Sequence, residues 1–120
     1  MKTIILDTSF IIDLIKFKIN LEEISSIINE PYRLITVDSV IRELEKLSKR
    51  NKNALAALRF LKKERIEIVS IEASSADSAI LHLANKDIIV ATDDRKLRKE
   101  LRRKRIQTIY VRGKKYLGIS

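Results

Sequence analysis

Apolar residues recur along the chain with two different spacings, and their alternation predicts a sheet interleaved with helices. Short runs rich in isoleucine and valine predict five strands, at Lys2–Leu6, Arg33–Thr36, Ile66–Ser70, Asp87–Ala91 and Ile106–Val111. Apolar residues spaced three and four positions apart predict helices at Phe10–Phe17, Leu21–Asn29, Val37–Ser48, Ala54–Glu64, Ser74–Lys86 and Asp94–Lys104.

Strands that alternate with helices indicate an α/β fold with a mostly parallel five-stranded sheet. Hairpin turn signals are absent between the strand-like runs, which favours parallel pairing. The continuous apolar run at residues 88–91 is typical of a strand that is buried on both faces. No linker or repeat divides the chain, so we expect a single domain over residues 1–120. It should be a three-layer α/β/α sandwich with the strand order 3-2-1-4-5.

Composition narrows the available chemistry to carboxylates, hydroxyls and cations. The chain has no cysteine and one histidine, His82, so disulfides and multi-histidine zinc sites are excluded. No apolar run approaches the about 18 residues that a membrane span requires. The apolar segment at the start of the chain ends at the acidic residue Asp7 and is too short for a secretory signal. We therefore expect a cytoplasmic protein without a membrane partner.

The formal net charge of +9 is concentrated in one segment, residues 95–115. This basic C-terminal segment has eleven lysines and arginines against one acid, whereas residues 1–94 carry fourteen cations and fifteen acids. A concentrated cationic segment predicts a polyanionic partner, most often nucleic acid, although a solvated helix gives the same pattern. The candidate RNA-binding residues are Arg95, Arg98, Arg102, Arg103 and Arg105.

Carboxylates directly follow the first and fourth predicted strands. Asp7 ends the first strand, and Asp93 and Asp94 come after the fourth. In open parallel sheets, ligands bind beyond the carboxyl ends of the strands where the strand order reverses. The predicted order would bring these three acids close together. Each acid could instead be a helix cap, because aspartate is a preferred N-cap residue.

Two helices place further acids on or beside their apolar faces. Asp77 lies in the middle of the apolar arc of its helix, where a carboxylate is costly unless it is paired or binds a cation. The stretch from Ser74 to Asp77 also fits a capping box, which is compatible with a metal role. Glu43 and Glu45 flank the apolar stripe of the third helix, and the pattern alone does not choose between them.

Converging carboxylates without cysteine or histidine are hard oxygen ligands, which suit Mg²⁺ or Mn²⁺ better than zinc. Like charges held this close must bind cations or take up protons. Their natural chemistry is metal-assisted hydrolysis of a phosphodiester, in which the metal activates a water and neutralises developing charge. The basic segment after Asp94 would then hold a nucleic-acid backbone beside the site.

Four segments of the chain resemble the PIN-domain ribonucleases. In order, these are ILDTSFIIDL, TVDSVIRELEKL, ADSAILHLA and IIVATDDRKLRKELRRKRIQTIYVR. The pattern is most similar to small archaeal PIN proteins related to eukaryotic nucleases that process pre-ribosomal RNA. VapC-type toxins of toxin–antitoxin pairs are slightly more distant.

The resemblance implies a catalytic, metal-binding quartet of carboxylates. By position in the family motifs, the four acids are Asp7, Glu43, Asp77 and Asp94. Asp93 occupies the variable position of the Thr-x-Asp motif and is a further candidate ligand. Ser9 and Thr92 are expected to support the site, Ser9 by hydrogen bonding in the Asp7 loop.

The resemblance also implies a function, an Mg²⁺- or Mn²⁺-dependent endoribonuclease that acts in ribosomal-RNA processing or as a VapC-type toxin. The implied partners are RNA, a second copy of the chain in a homodimer and, for a toxin, an antitoxin protein. The helices at Phe10–Phe17 and Leu21–Ile28 are candidate dimer surface or core. The alternative is a non-catalytic RNA-binding module with the same fold, in which the acids are helix caps.

Overall fold

Six strands form one sheet in the computed structural model, which describes all residues 1–120. The strands are β1 (Lys2–Leu6), β2 (Tyr32–Val37), β3 (Glu67–Val69), β4 (Ile88–Ala91), β5 (Thr108–Arg112) and β6 (Tyr116–Ile119). Their order is β3-β2-β1-β4-β5-β6. The predicted order 3-2-1-4-5 is therefore confirmed, and one strand is added at an edge.

Six α-helices connect or cover the strands. They are α1 (Thr8–Lys16), α2 (Ile24–Ile27), α3 (Asp38–Leu47), α4 (Lys52–Lys63), α5 (Ala76–Leu83) and α6 (Arg95–Arg103). A 3-10 turn at Leu21–Glu23 precedes α2, so the predicted helix Leu21–Asn29 is shorter and less regular than expected. None of the helices has the length and apolar character needed to cross a membrane.

The central strands are buried on both faces. Ile4, Ile5 and Leu6 of β1 are fully buried in succession, and Ile89 and Val90 of β4 are buried beside them. Because successive strand residues point to opposite faces, this run requires packed layers on both sides of the sheet. The α/β/α prediction and the parallel pairing of β1 with β2 and β4 follow from the same apolar runs.

The helices α1 and α2 supply core rather than free apolar surface. Phe10, Ile11 and Leu14 of α1 and Ile24 of α2 are buried in the main hydrophobic cluster. Of the two possibilities for this apolar segment, interface or core, the structure favours core.

The edge strand β6 was not predicted, and it is the one antiparallel strand of the mostly parallel sheet. β6 pairs antiparallel with β5, with Val111 opposite Leu117. The connecting turn has Gly113 and Lys114 in the left-handed region, with φ of 59° and 58°. Hairpin turns favour this conformation, but the turn lacks the Asn-Gly or Asp-Gly pair that signals it in a sequence.

The carboxyl ends of the five parallel strands meet along one side of the sheet, here called the carboxyl edge. Asp7 follows β1 there, and α3 begins directly after β2. Ile109 of β5 pairs with Ala91, the last residue of β4, so β5 continues three residues beyond it. The hairpin between β5 and β6 therefore turns at the carboxyl edge.

Candidate active site

Asp7 is a buried carboxylate at the carboxyl end of β1, with 4% of its surface exposed. It occupies the N-cap position of α1, but its side chain makes no capping hydrogen bond. Its Oδ2 instead accepts hydrogen bonds from Thr92 Oγ1 at 2.7 Å and from Ser9 Oγ at 3.2 Å. Helix capping therefore does not explain why an acid is buried here.

Ser9 and Thr92 connect Asp7 to the loop between β4 and α6. Ser9 Oγ accepts a hydrogen bond from the backbone N–H of Asp93 at 3.0 Å. Thr92 Oγ1 accepts one from the backbone N–H of Asp94 at 3.1 Å. The two hydroxyls lie 3.3 Å apart. This network fixes the Asp94 backbone relative to the Asp7 carboxylate.

Asp94 is the N-cap of α6 and keeps one oxygen for other contacts. Its Oδ1 accepts a hydrogen bond from the backbone N–H of Leu97 at 3.1 Å, which is the capping contact expected of aspartate. Its Oδ2 has no protein hydrogen-bond donor. Asp94 can therefore cap α6 and still offer an oxygen to a ligand.

Asp77 lies half-buried in the first turn of α5 and is not the cap of that helix. Ser75 caps α5 by accepting a hydrogen bond from the backbone N–H of Ser78 at 3.2 Å, so the Ser74–Asp77 capping box does not form. Burial raises the pKa of the Asp77 carboxyl, and the negative charges of Asp94 and Glu100 raise it further. Asp77 thus faces Asp94 across the carboxyl edge.

Glu43 and Glu45 are both exposed on α3, but they face different surroundings. Glu43 is close enough to Asp7 to raise the pKa of its carboxyl. Glu45 lines a groove formed by α3, α4 and β3. The structure therefore directs Glu43, and not Glu45, toward the acids at the strand ends.

Burial and neighbouring acids raise the pKa of Asp7 to about 6. Loss of hydration is the main cause, and the negative charges of Asp77 and Glu43 add to it, while the hydrogen bond from Thr92 lowers the pKa. No cationic side chain forms an ion pair with any of the four acids, since the two ion pairs lie at Arg33–Glu67 and Arg42–Asp38. The carboxyl edge thus carries negative charge that no ion pair neutralises, although Lys96 is close enough to lower the pKa of Asp77.

The donor set fits a hard divalent cation that keeps much of its water. No three acidic or histidine side chains are close enough to enclose an ion by themselves. Mg²⁺ does not require such a cage, because it usually keeps several waters and binds through one or two carboxylates. Asp7 and Asp94, joined through Thr92, are the best-ordered candidate ligands.

Asp93 lies apart from the other acids. Its Oδ1 accepts a hydrogen bond from the backbone N–H of Val111 at 2.7 Å, and its Oδ2 is buried without a donor. Burial raises the pKa of Asp93 to about 7, and hydrogen-bonding contact with Asp13 of α1 raises it as well. Arg98 is the nearby cation that lowers it. The structure therefore turns Asp93 toward β5 and does not bring it to Asp7 and Asp77.

The predicted RNA-binding arginines fall into different environments. Four of them are exposed, namely Arg95, Arg102, Arg103 and Arg105. Arg98 is half-buried, and its guanidinium stacks on the Tyr110 ring with Cζ 3.9 Å from the ring centroid. Arg98 is thus engaged within the protein, in contrast to the other four.

Two residues that contact Asp93 or Arg98, Asp13 and Tyr110, were not among the candidate residues predicted from the sequence. Asp13 interrupts the apolar stretch of α1, which is a visible signal for a half-buried acid. Tyr110 carries no such signal, because its contact with Arg98 depends on how α6 packs against β5.

Comparisons with known proteins agree with this geometry. A family profile described as PIN like domain matches residues 4–114. Ribonuclease VapC4 of Methanocaldococcus jannaschii is 36% identical over 127 residues, covering 99% of this chain and 97% of that protein. The solved structure of the PIN domain endonuclease Utp24 superposes with a TM-score of 0.82 at 28% identity, covering 98% of this chain and 90% of the Utp24 chain.

Proposed function

Since this chain belongs to the PIN-like domain family, we propose that it is an Mg²⁺- or Mn²⁺-dependent endoribonuclease that hydrolyses RNA phosphodiester bonds. The relatives support a nuclease. One, which aligns over nearly its whole length, is named a ribonuclease, and the other is named an endonuclease. We infer the metal and the RNA substrate from the residues at the carboxyl edge and from the basic segment beside them.

The observation that carries the proposal is the burial of Asp7 without a neutralising cation. A buried carboxylate among other acids is unfavourable unless a proton or a metal ion compensates it. The negative charges of Asp77 and Glu43 raise the pKa of the Asp7 carboxyl, and the charge of Asp94 raises the pKa of Asp77. A divalent cation among these four acids would remove the repulsion and make the edge attractive to phosphate.

Different residues of such a site would bind the metal ion and orient its ligands. The bound Mg²⁺ or Mn²⁺ supplies an activated water and compensates charge on the phosphate and leaving oxygen. Asp7, Glu43, Asp77 and Asp94 would hold the ion. Thr92 and Ser9 donate hydrogen bonds to Asp7 Oδ2 and so orient this carboxylate, while the backbone N–H of Leu97 holds Asp94.

Cleavage of total RNA from the source organism, with and without Mg²⁺ and with mapped ends, tests this proposal. Wild-type protein should cut at reproducible sites only with the metal, and Asp94→Asn should lose the cutting. Asp87→Asn is the matched control, because Asp87 is an exposed aspartate at the other end of β4. RNA binding without metal-dependent cutting would instead favour the non-catalytic RNA-binding module.

Two cellular roles are proposed for this activity, ribosomal-RNA processing and toxin action. The sequence pattern of Ile88–Leu97 favours the processing branch, whereas the 36% identity to Ribonuclease VapC4 favours the toxin. A toxin requires a small antitoxin protein whose chain inserts near the acidic site. An adjacent gene that encodes such a protein would support the toxin role over ribosomal-RNA processing.

We also propose that the chain forms a homodimer. A groove between α3, α4 and β3 exposes apolar side chains, among them Leu55 and Ile68, and Ile68 is 51% exposed. Light scattering should give twice the 13.9 kDa of one chain, and Ile68→Asp should shift the protein to a monomer. A wild-type monomer at micromolar concentration would refute the dimer.

A further inference from the structure

The tip of the β5–β6 hairpin, residues 112–116, lies at the carboxyl edge close to the acidic site. The backbone N–H of Val111 donates a hydrogen bond to Asp93, the neighbour of Asp94, at 2.7 Å. Arg112 is three residues beyond Ile109, which is level with the end of β4, so it projects about 10 Å past that strand. The hairpin tip and the acids therefore occupy the same end of the sheet.

The hairpin tip carries cations and an exposed aromatic ring. Arg112, Lys114 and Lys115 are exposed and form no ion pair, and the tip contains no acid. Tyr116 is 58% exposed, with Lys115 Nζ 5.6 Å from its ring centroid. Proteins that bind single-stranded nucleic acid combine these two features, because cations follow the phosphates and an aromatic ring stacks on an unpaired base.

The hairpin tip projects from a packed base. Gly118 lies under the Tyr110 ring, where an added Cβ would approach Tyr110 Cζ to 2.7 Å. Arg98 of α6 packs on the ring of Tyr110, and Leu117 is buried in the core. These contacts fix β6 against β5, so the tip is presented in one position rather than as a free tail.

The aromatic ring and Arg112 share the face of the sheet that contacts α6. Arg112 pairs with Tyr116 and Tyr110 pairs with Gly118, and paired residues of an antiparallel ladder point to the same face. Tyr110 contacts Arg98 of α6, so this face is the one beside α6. A strand of RNA could therefore pass between the start of α6 and the hairpin tip.

Most of the predicted arginines lie away from the carboxyl edge, at which the hairpin tip turns. α6 begins at the carboxyl edge and rises about 1.5 Å per residue away from it. Arg102 and Arg103 thus lie more than about 10 Å from Asp94 along the helix, and Arg105 follows the end of the helix. Because acids repel phosphate, cations at the carboxyl edge, such as those of the hairpin tip, are needed to hold a substrate there.

We propose that the hairpin tip binds single-stranded RNA beside the acidic site, with Tyr116 stacking on an unpaired base and Arg112, Lys114 and Lys115 contacting phosphates. This inference rests on the proposed RNA substrate and adds that the substrate is unpaired next to the cut. An acidic protein could match the cations, but it gives no reason for an exposed ring among them.

Binding of an unstructured 12-nucleotide RNA in EDTA, where no cleavage occurs, measures the role of Tyr116. Tyr116→Ala should weaken binding roughly tenfold, within the range known for loss of one base stack, and Tyr116→Phe should restore it. Thermal unfolding of each variant verifies that the fold is retained.

The charges are tested by the salt dependence of the same binding. Changing Arg112, Lys114 and Lys115 together to Gln should reduce the slope of log affinity against log salt by about 2, the value for three lost contacts to a single strand. The matched control changes Lys46, Lys49 and Arg50, exposed cations at the far end of α3, to Gln. This control should change the slope by less than half as much.

The outcomes separate the hairpin tip from the nuclease. Wild-type binding by Tyr116→Ala, failure of Tyr116→Phe to restore binding, or equal slopes in the two triple variants would overturn the proposal. Such a result would leave the tip free for a protein partner. RNA binding that depends on the tip in a protein that cuts no RNA would support the tip and refute the nuclease. Metal-dependent cleavage by a protein whose RNA binding does not depend on the tip would support the nuclease and refute the role of the tip.

Discussion

At the scale of single residues, the site depends on where each carboxylate points. The ends of the parallel strands predicted Asp7 together with Asp93 and Asp94, and the apolar helical face predicted Asp77. The family resemblance selected Asp94 over Asp93 and Glu43 over Glu45. The direction of Asp93 could not be predicted. It follows from the loop after β4 and from the backbone N–H of Val111, a partner 18 residues away.

The raised pKa of Asp7 predicts a pH-dependent metal affinity. With a pKa of about 6, the Asp7 carboxyl is mostly ionised at pH 7 and mostly protonated at pH 5. Because a cation must displace that proton, Mn²⁺ affinity should fall about tenfold from pH 7 to pH 5. Isothermal titration calorimetry at the two pH values measures this. Equal affinity at both would show that Asp7 does not bind the metal.

The raised pKa of Asp93 predicts that stability falls as pH rises. The native state holds the proton of this carboxyl up to about pH 7, whereas an unfolded chain releases it near its ordinary value of 3.8. The native state thus binds more protons between these values, so the free energy of unfolding decreases across that window. Asp93→Asn keeps an oxygen for the Val111 N–H and removes the charge.

Asp93→Asn should therefore raise the free energy of unfolding at pH 8 by about 1 kcal/mol, a value reduced for the partial exposure of Asp93. The gain should vanish near pH 3, where the wild-type carboxyl is mostly protonated in both states. Urea denaturation at the two pH values provides the measurement. A loss of stability at pH 8 would mean that the ionised form is the native one.

At the scale of secondary-structure elements, the helices and parallel strands were predictable and the last hairpin was not. The apolar spacing of α3, α4 and α6 and the continuous runs of β1 and β4 are strong local signals. β6 has four residues, one of them glycine, and follows a turn without the usual residues. Its place is set by packing against β5 and α2, which local patterns do not encode.

Gly118 is predicted to be required by the hairpin. Gly118→Ala places a methyl group 2.7 Å from the Tyr110 ring, so the ring and its stacked Arg98 must shift. We expect a loss of about 1–3 kcal/mol of stability, the usual cost of overpacking, in chemical denaturation. Tyr110→Leu combined with Gly118→Ala should recover part of it. Full stability of Gly118→Ala alone would contradict the observed packing.

At the scale of the whole molecule, the chain separates its charges. The acids gather at the carboxyl edge, whereas the cations lie along α6 and the hairpin tip. This separation was visible in the sequence as a body near neutrality and a strongly basic segment. Its geometry was not visible, because the fold determines that the hairpin tip lies at the acidic end while Arg102 and Arg103 at the end of α6 lie away from it.

The single-turnover rate of RNA cleavage as a function of Mn²⁺ concentration tests the central claim most directly. We predict no cleavage in EDTA, saturation with Mn²⁺, and at least about a hundredfold loss in Asp7→Asn, Glu43→Gln, Asp77→Asn and Asp94→Asn. The cleavage rates of Asp93→Asn and Asp87→Asn should stay within about threefold of the wild-type rate, far from a hundredfold loss. Cleavage that persists in EDTA, or wild-type rates in the four variants, would contradict the account.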